Sequence, residues 1–137
     1  MRSLLLVAAP LLTAALLSSC SNPPPANTFA GNYAGTFAVV NTNDKGDLSL
    51  AVSGDGSLSG TITLTSASAT PKPTTSVSGT IQNDGTLVAN YKYPGAFPTA
   101  TLKGTVTLTA GMVAGTLNVS IPDLADAGKV TLNLTKK

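Results

Sequence analysis

The chain has 137 residues and a net charge of +2, from eight Lys and Arg against six Asp and Glu, with no His, no Trp and one Cys. Without His or Glu, and with Cys20 alone, the usual nucleophile–base pairs and zinc sites cannot be assembled, and no cofactor is implied. No basic patch of the kind a phosphate backbone needs is present, since Lys136-Lys137 is only a solvated tail, so nucleic acid is excluded as a partner.

Met1-Arg2 is a short positive start, and residues 4–17 form an apolar run too short to span a bilayer, which reads as a secretion signal. It ends in Leu17-Ser18-Ser19-Cys20, which resembles the bacterial lipobox: a Leu, two small residues, then Cys. That resemblance implies cleavage before Cys20, lipid attachment at its thiol, and a membrane partner reached through that lipid. The alternative is a buried free cysteine at the end of an ordinary signal peptide. Ser21 stands where an Asp would retain a lipoprotein at the inner membrane, so the usual Gram-negative rule implies the outer membrane of the cell envelope. The expected organisation is a signal peptide over 1–19, a lipidated Cys and Pro-rich tether over 20–28, and one β-domain over 29–137. No cysteine remains for a disulfide, so the fold rests on its core.

Residues 21–28 include Pro23, Pro24 and Pro25 and read as an extended spacer with nothing folded in it. From Phe29 onward no helical period appears, whereas period-two alternation recurs and predicts eight strands. They fall at residues 32–40, 47–53, 57–65, 75–82, 86–93, 99–108, 112–120 and 129–135, with a loop around Pro122 and Asp123 before the last. Five of them carry the phrase apolar-x-Gly-Thr-apolar, first as Tyr33-Ala34-Gly35-Thr36-Phe37 and last as Val113-Ala114-Gly115-Thr116-Leu117. In an extended strand its two apolar residues and its Gly face one side, so each copy specifies a half-buried strand with a glycine at the middle of its inner face. Glycine at such a site costs roughly 0.5–1 kcal/mol relative to Ala. Tight curvature and close approach of facing residues offset that cost in one reading, and space for a ligand offsets it in the other; curvature is preferred.

Two turns set the register. Gly54-Asp55-Gly56 and Asn83-Asp84-Gly85 each fit a three-residue hairpin loop ending in a left-handed Gly. Centring on Asp55 places Leu50 opposite Gly60, and a turn at Ala110-Gly111 places Val106 opposite Gly115 and Leu117 opposite Gly104, so large faces small. Centring on Asp84 instead sets Gly79 opposite Ala89 beside Tyr91, which predicts a notch.

Eight strands joined mainly by short connections make an all-β antiparallel meander, closed into a small up-and-down barrel or, alternatively, packed as a two-layer β-sandwich. Gly31-Asn32-Tyr33 and Gly54-Asp55-Gly56-Ser57-Leu58-Ser59-Gly60-Thr61 are similar to segments of the calycin group, the lipocalins and avidins. The resemblance implies the barrel shape; with every Trp missing, no ligand-contacting residue carries over. A transmembrane barrel is disfavoured by hydroxyl-rich outward faces and only six aromatics.

Asp55 and Asp84 sit where turns favour Asp, and the loop over 41–47 is no calcium site, because Lys45 takes a ligand position and Val52 stands where a Glu is required. Asn118-Val119-Ser120 and Asn133-Leu134-Thr135 match glycosylation acceptors within strands and carry no weight. The remaining candidates are Tyr33, Tyr91 and Tyr93, which share inward parity and, with Gly79 and Ala89, define a candidate site for a small apolar ligand. The sequence thus favours a lipid-anchored, non-catalytic structural or interaction module of the envelope, with an envelope protein as partner. The alternative is a lipocalin-like carrier of a small apolar ligand.

Overall fold

The alternating pattern becomes eight antiparallel strands in the computed structural model, which describes residues 22–68, 70–92 and 98–137, with the backbone alone at 124–126. The signal segment, Cys20 and Tyr93 lie outside the described residues. The strands are β1 (Gly31–Val39), β2 (Lys45–Val52), β3 (Ser57–Leu64), β4 (Thr74–Ile81), β5 (Thr86–Lys92), β6 (Thr99–Thr109), β7 (Met112–Ile121) and β8 (Leu124–Lys136). Each pairs with the next, and β1 also pairs with β8, from Tyr33 opposite Lys136 to Val39 opposite Val130, so the sheet closes into a barrel. Closure removes both sheet edges and sets the sandwich aside.

The repeated glycines let neighbouring backbones come close together. A Cβ on Gly35 would lie 2.0 Å from the Asn133 carbonyl oxygen, on Gly60 2.0 Å from that of Ser49, and on Gly79 2.1 Å from that of Val88. At Gly104 and Gly115 the same test gives 2.8 and 2.7 Å from the carbonyls of Thr116 and Thr105. In every copy the obstacle is the backbone of the paired strand, as tight coiling of a small barrel demands. Large residues then cover the glycines: Leu48 and Leu134 flank Gly35, Leu58 lies opposite Gly79, and both Leu87 and Leu117 lie opposite Gly104.

One end of the barrel is closed by tight turns and by the chain's own entry. Gly56 and Gly85 adopt φ of 87° and 85°, the left-handed position that ends a three-residue loop. The two turns lie against their neighbours, with Ile81 N–H donating to the Gly56 carbonyl at 2.8 Å and Val106 N–H to that of Gly85 at 2.9 Å. Below them Asn27 is buried: its backbone N–H donates to the Gly54 carbonyl, its Nδ2 donates to the Ile81 carbonyl at 2.8 Å, and its Oδ1 accepts from Phe29 N–H at 2.9 Å. Phe29 is buried beneath, and the Tyr33 hydroxyl donates to its carbonyl at 2.8 Å. The chain is thus held against the barrel from Asn27, two residues before the 29 expected for the β-domain, because the Asn27 amide satisfies backbone groups that the barrel end would otherwise leave unpaired.

At the other end lie the connection 40–44, the β7–β8 turn, and the strand ends Leu64, Thr74, Lys92 and Thr99, which the longer stretches of sequence 65–73 and 93–98 separate. There the last strand begins at Leu124, five residues before the expected 129. Ile121 pairs with Leu124 across a turn in which Asp123 takes a positive φ of 69°, and an irregularity between Val119 and Ile121 absorbs the change of register.

Candidate functional site

The inward side chains fill the barrel unevenly along its axis. Around Phe29, Tyr33, Leu50 and Leu134 at the closed end, and around Leu58, Val77, Ala89 and Leu117 at mid-height, the residual spaces measure about 10 Å³ each. That is no more than a single water needs, so nothing binds there. Towards the opposite end the packing opens. A cavity of about 40 Å³ lies among Phe37, Leu48, Ile62, Leu64, Leu102, Val130 and Leu132, with Pro73, Thr75 and Tyr91 around it. A wider space of about 270 Å³ adjoins it, sharing Val39, Tyr91 and Val130 and continuing past Pro98, Ala100, Val119, Ile121 and Ala127.

This opening follows from the sequence of the strand ends. Val39, Tyr91 and Ala100 hold inward positions at the ends of β1, β5 and β6, Val119 lies near the end of β7, and Val130 faces Val39 from the middle of β8; none is large enough to reach the barrel axis except Tyr91, which is half-buried. Phe37 packs over Gly46, where a Cβ would meet its ring carbon at 2.7 Å, so its ring lies against the wall. Residues 65–67 and Pro73 are tied down beside the opening: Thr65 and Ser66 N–H donate to the Lys45 carbonyl, Leu64 N–H donates to that of Pro73, and Ala67 packs on the core. Among the described residues the lining is almost wholly apolar, with Asp44 its one charged member, at the mouth.

The residues singled out from the sequence do not converge. Tyr91 lines both spaces. Tyr33 lies at the opposite, closed end, where burial pushes its phenol above the ordinary pKa of 10 and its hydroxyl is spent on Phe29. Gly79 and Ala89 are opposite each other as expected, yet they form no notch, because strand coiling brings the Ala89 Cα to 2.6 Å from where a Gly79 Cβ would stand. Tyr93 lies outside the described residues. Sequence reasoning missed Val39, Ala100, Val119 and Val130. The signal that points to them is the alternation of connection lengths: 53–56, 82–85 and 110–111 are short and share one end, and 40–44, 65–73 and 93–98 are longer and share the other.

Among the described residues no group of three His, Cys, Asp or Glu could hold a metal ion, and no helix is long and apolar enough to cross a membrane. No buried side-chain polar atom among them lacks a hydrogen-bond partner. No protein-family model matches the chain, and neither the curated proteins nor the solved structures yield a match.

Proposed function

We propose that the protein is a lipid-anchored, non-catalytic lipoprotein of the cell envelope whose barrel binds a small apolar ligand. The observation that carries the binding part is the asymmetry of the barrel: one end closed by Asn27, Phe29 and Tyr33, the other opening through an apolar cavity. The sequence alone weighed more towards an interaction module with a filled interior; the cavity moves the balance towards carriage. Its size argues for a small ligand, because the wider space of about 270 Å³ falls just below the range of about 300–1,000 Å³ usual for drug-sized molecules. The anchor rests on Leu17-Ser18-Ser19-Cys20. The outward residues of β3 and β4 support a water-facing barrel: in register they pair Ser57 with Thr80, Ser59 with Ser78, Thr61 with Ser76 and Thr63 with Thr74, a surface of hydroxyls unsuited to lipid tails.

The test is native mass spectrometry of the Cys20→Ser domain purified gently from its own host's envelope. The expected result is a bound small molecule that is lost in a Tyr91→Ala variant. A clean apo mass, with no uptake when short-chain fatty alcohols are added, overturns carriage and returns the search to protein partners.

A further inference from the structure

The chain enters the barrel at one end, and the cavity opens at the other. Ala26 lies beside the Gly54 turn, its Cβ 3.8 Å from where a Gly54 Cβ would stand, and Asn27 is locked to Gly54 and Ile81. Only residues 20–26 then separate the anchoring Cys20 from the locked Asn27. Fully extended, seven residues reach about 25 Å, and the prolines at 23–25 hold them nearer to about 3.1 Å per residue, or about 22 Å in all. β1 has nine residues; at a rise of about 3.3 Å and a tilt of about 40° that is a barrel height of about 23 Å. To turn the mouth onto the bilayer, the tether would have to round the closed end and climb the full height of the wall with no slack.

We infer that the cavity faces away from the bilayer that holds the protein, and is loaded and emptied from the aqueous side. This rests on the lipoprotein reading, since it takes Cys20 as the anchor. The ligand then reaches the site through water and never by sliding out of the anchoring leaflet, which selects a small amphiphile with enough polarity to dissolve. The mouth suits one: Phe37, Leu64 and Leu102 line its depth, and Asp44 stands at its rim.

The orientation is measured on the acylated protein in vesicles of phosphatidylethanolamine and phosphatidylglycerol that carry a quencher on their headgroups. Acylation consumes the Cys20 thiol, so a fluorophore goes to one introduced cysteine at a time: Gln82→Cys at the closed end, or Asn43→Cys beside the mouth, both exposed positions. The expected result is quenching several-fold stronger at position 82 than at 43. Equal quenching, or stronger quenching at 43, overturns the orientation and leaves the anchor intact. An unmodified Cys20 in the mass spectrum of the same sample removes the anchor, and the orientation falls with it.

Discussion

Leu50 lies directly opposite Gly60 on the inner face, and a Cβ added to Gly60 would come within 2.8 Å of Leu50 Cδ2 and 2.0 Å of the Ser49 carbonyl oxygen. The second distance decides the outcome, because a leucine side chain can rotate away and a paired carbonyl cannot. Gly60→Ala should therefore destabilise the domain by about 1–3 kcal/mol despite alanine's better strand propensity. Gly54→Ala, whose Cβ would meet only Ala26 at 3.8 Å, should stay within about 0.5 kcal/mol of wild type. Urea midpoints of the two variants compare them directly; equal midpoints would mean that the strands are not coiled this tightly. Gly79→Leu should unfold the domain for the same reason, rather than remove a ligand.

Asn27 closes the barrel end through four hydrogen bonds to backbone groups, two of them made by its side chain. Asn27→Ala leaves the buried Ile81 carbonyl without that donor, at a cost of about 1–3 kcal/mol. Amide exchange should speed up first at Phe29 and Ala30, with the mid-barrel amides following only as far as global stability falls.

The two phenols should separate cleanly. Tyr33→Phe loses the 2.8 Å bond to the Phe29 carbonyl, so it should lower stability by about 1 kcal/mol and leave ligand uptake unchanged. Ala100→Phe grows a ring into the wider space from an inward position, so uptake should vanish while the domain stays folded. Uptake is read by native mass spectrometry and folding by urea titration on the same samples.

Stability should depend on acid pH in a defined direction. The Ser53 hydroxyl and the Ser57 N–H, at 2.9 Å, both donate to Asp55 and hold its pKa at about 2 against an ordinary 3.8; Thr86 N–H, at 2.8 Å, lowers that of Asp84 in the same way. A folded pKa below the unfolded one contributes stability that is full above about pH 4 and lost as the pH falls towards 2. With no His in the chain, the urea midpoint should be flat between about pH 8 and 5 and drop as the pH falls below about 4. The drop should shrink in an Asp55→Asn, Asp84→Asn double variant.

The register was legible because turn chemistry and alternation point the same way. Asp55 and Asp84 each accept from the N–H two residues on, and the following glycines are left-handed, so Leu50 faces Gly60 and Val77 faces Tyr91 as the loop arithmetic requires. The beginning of β8 was not legible: Pro122-Asp123, with Asp126 and Gly128 soon after, reads as a loop, and it is the pairing of Leu124 with Ile121 and of Gly128 with Val119 that carries the strand back to 124. Nor was the role of Asn27, a polar residue after three prolines with no periodicity to mark it. The predicted notch failed for a three-dimensional reason. Opposing small residues leave a gap in a flat sheet, but in a coiled barrel the backbones close it, and the space appears instead where Val39 and Ala100 lie at the ends of their strands, beside Val130.

The most direct measurement is methyl NMR of the Cys20→Ser domain titrated with a short-chain fatty alcohol. Saturable shifts are expected at the methyls that line the cavity, those of Val39, Leu64, Leu102, Val119 and Val130 among them, with Leu50, Leu58 and Leu134 unmoved. Shifts at those closed-end and mid-barrel methyls, or none that saturate anywhere, would contradict a barrel closed at Asn27 and open at Tyr91.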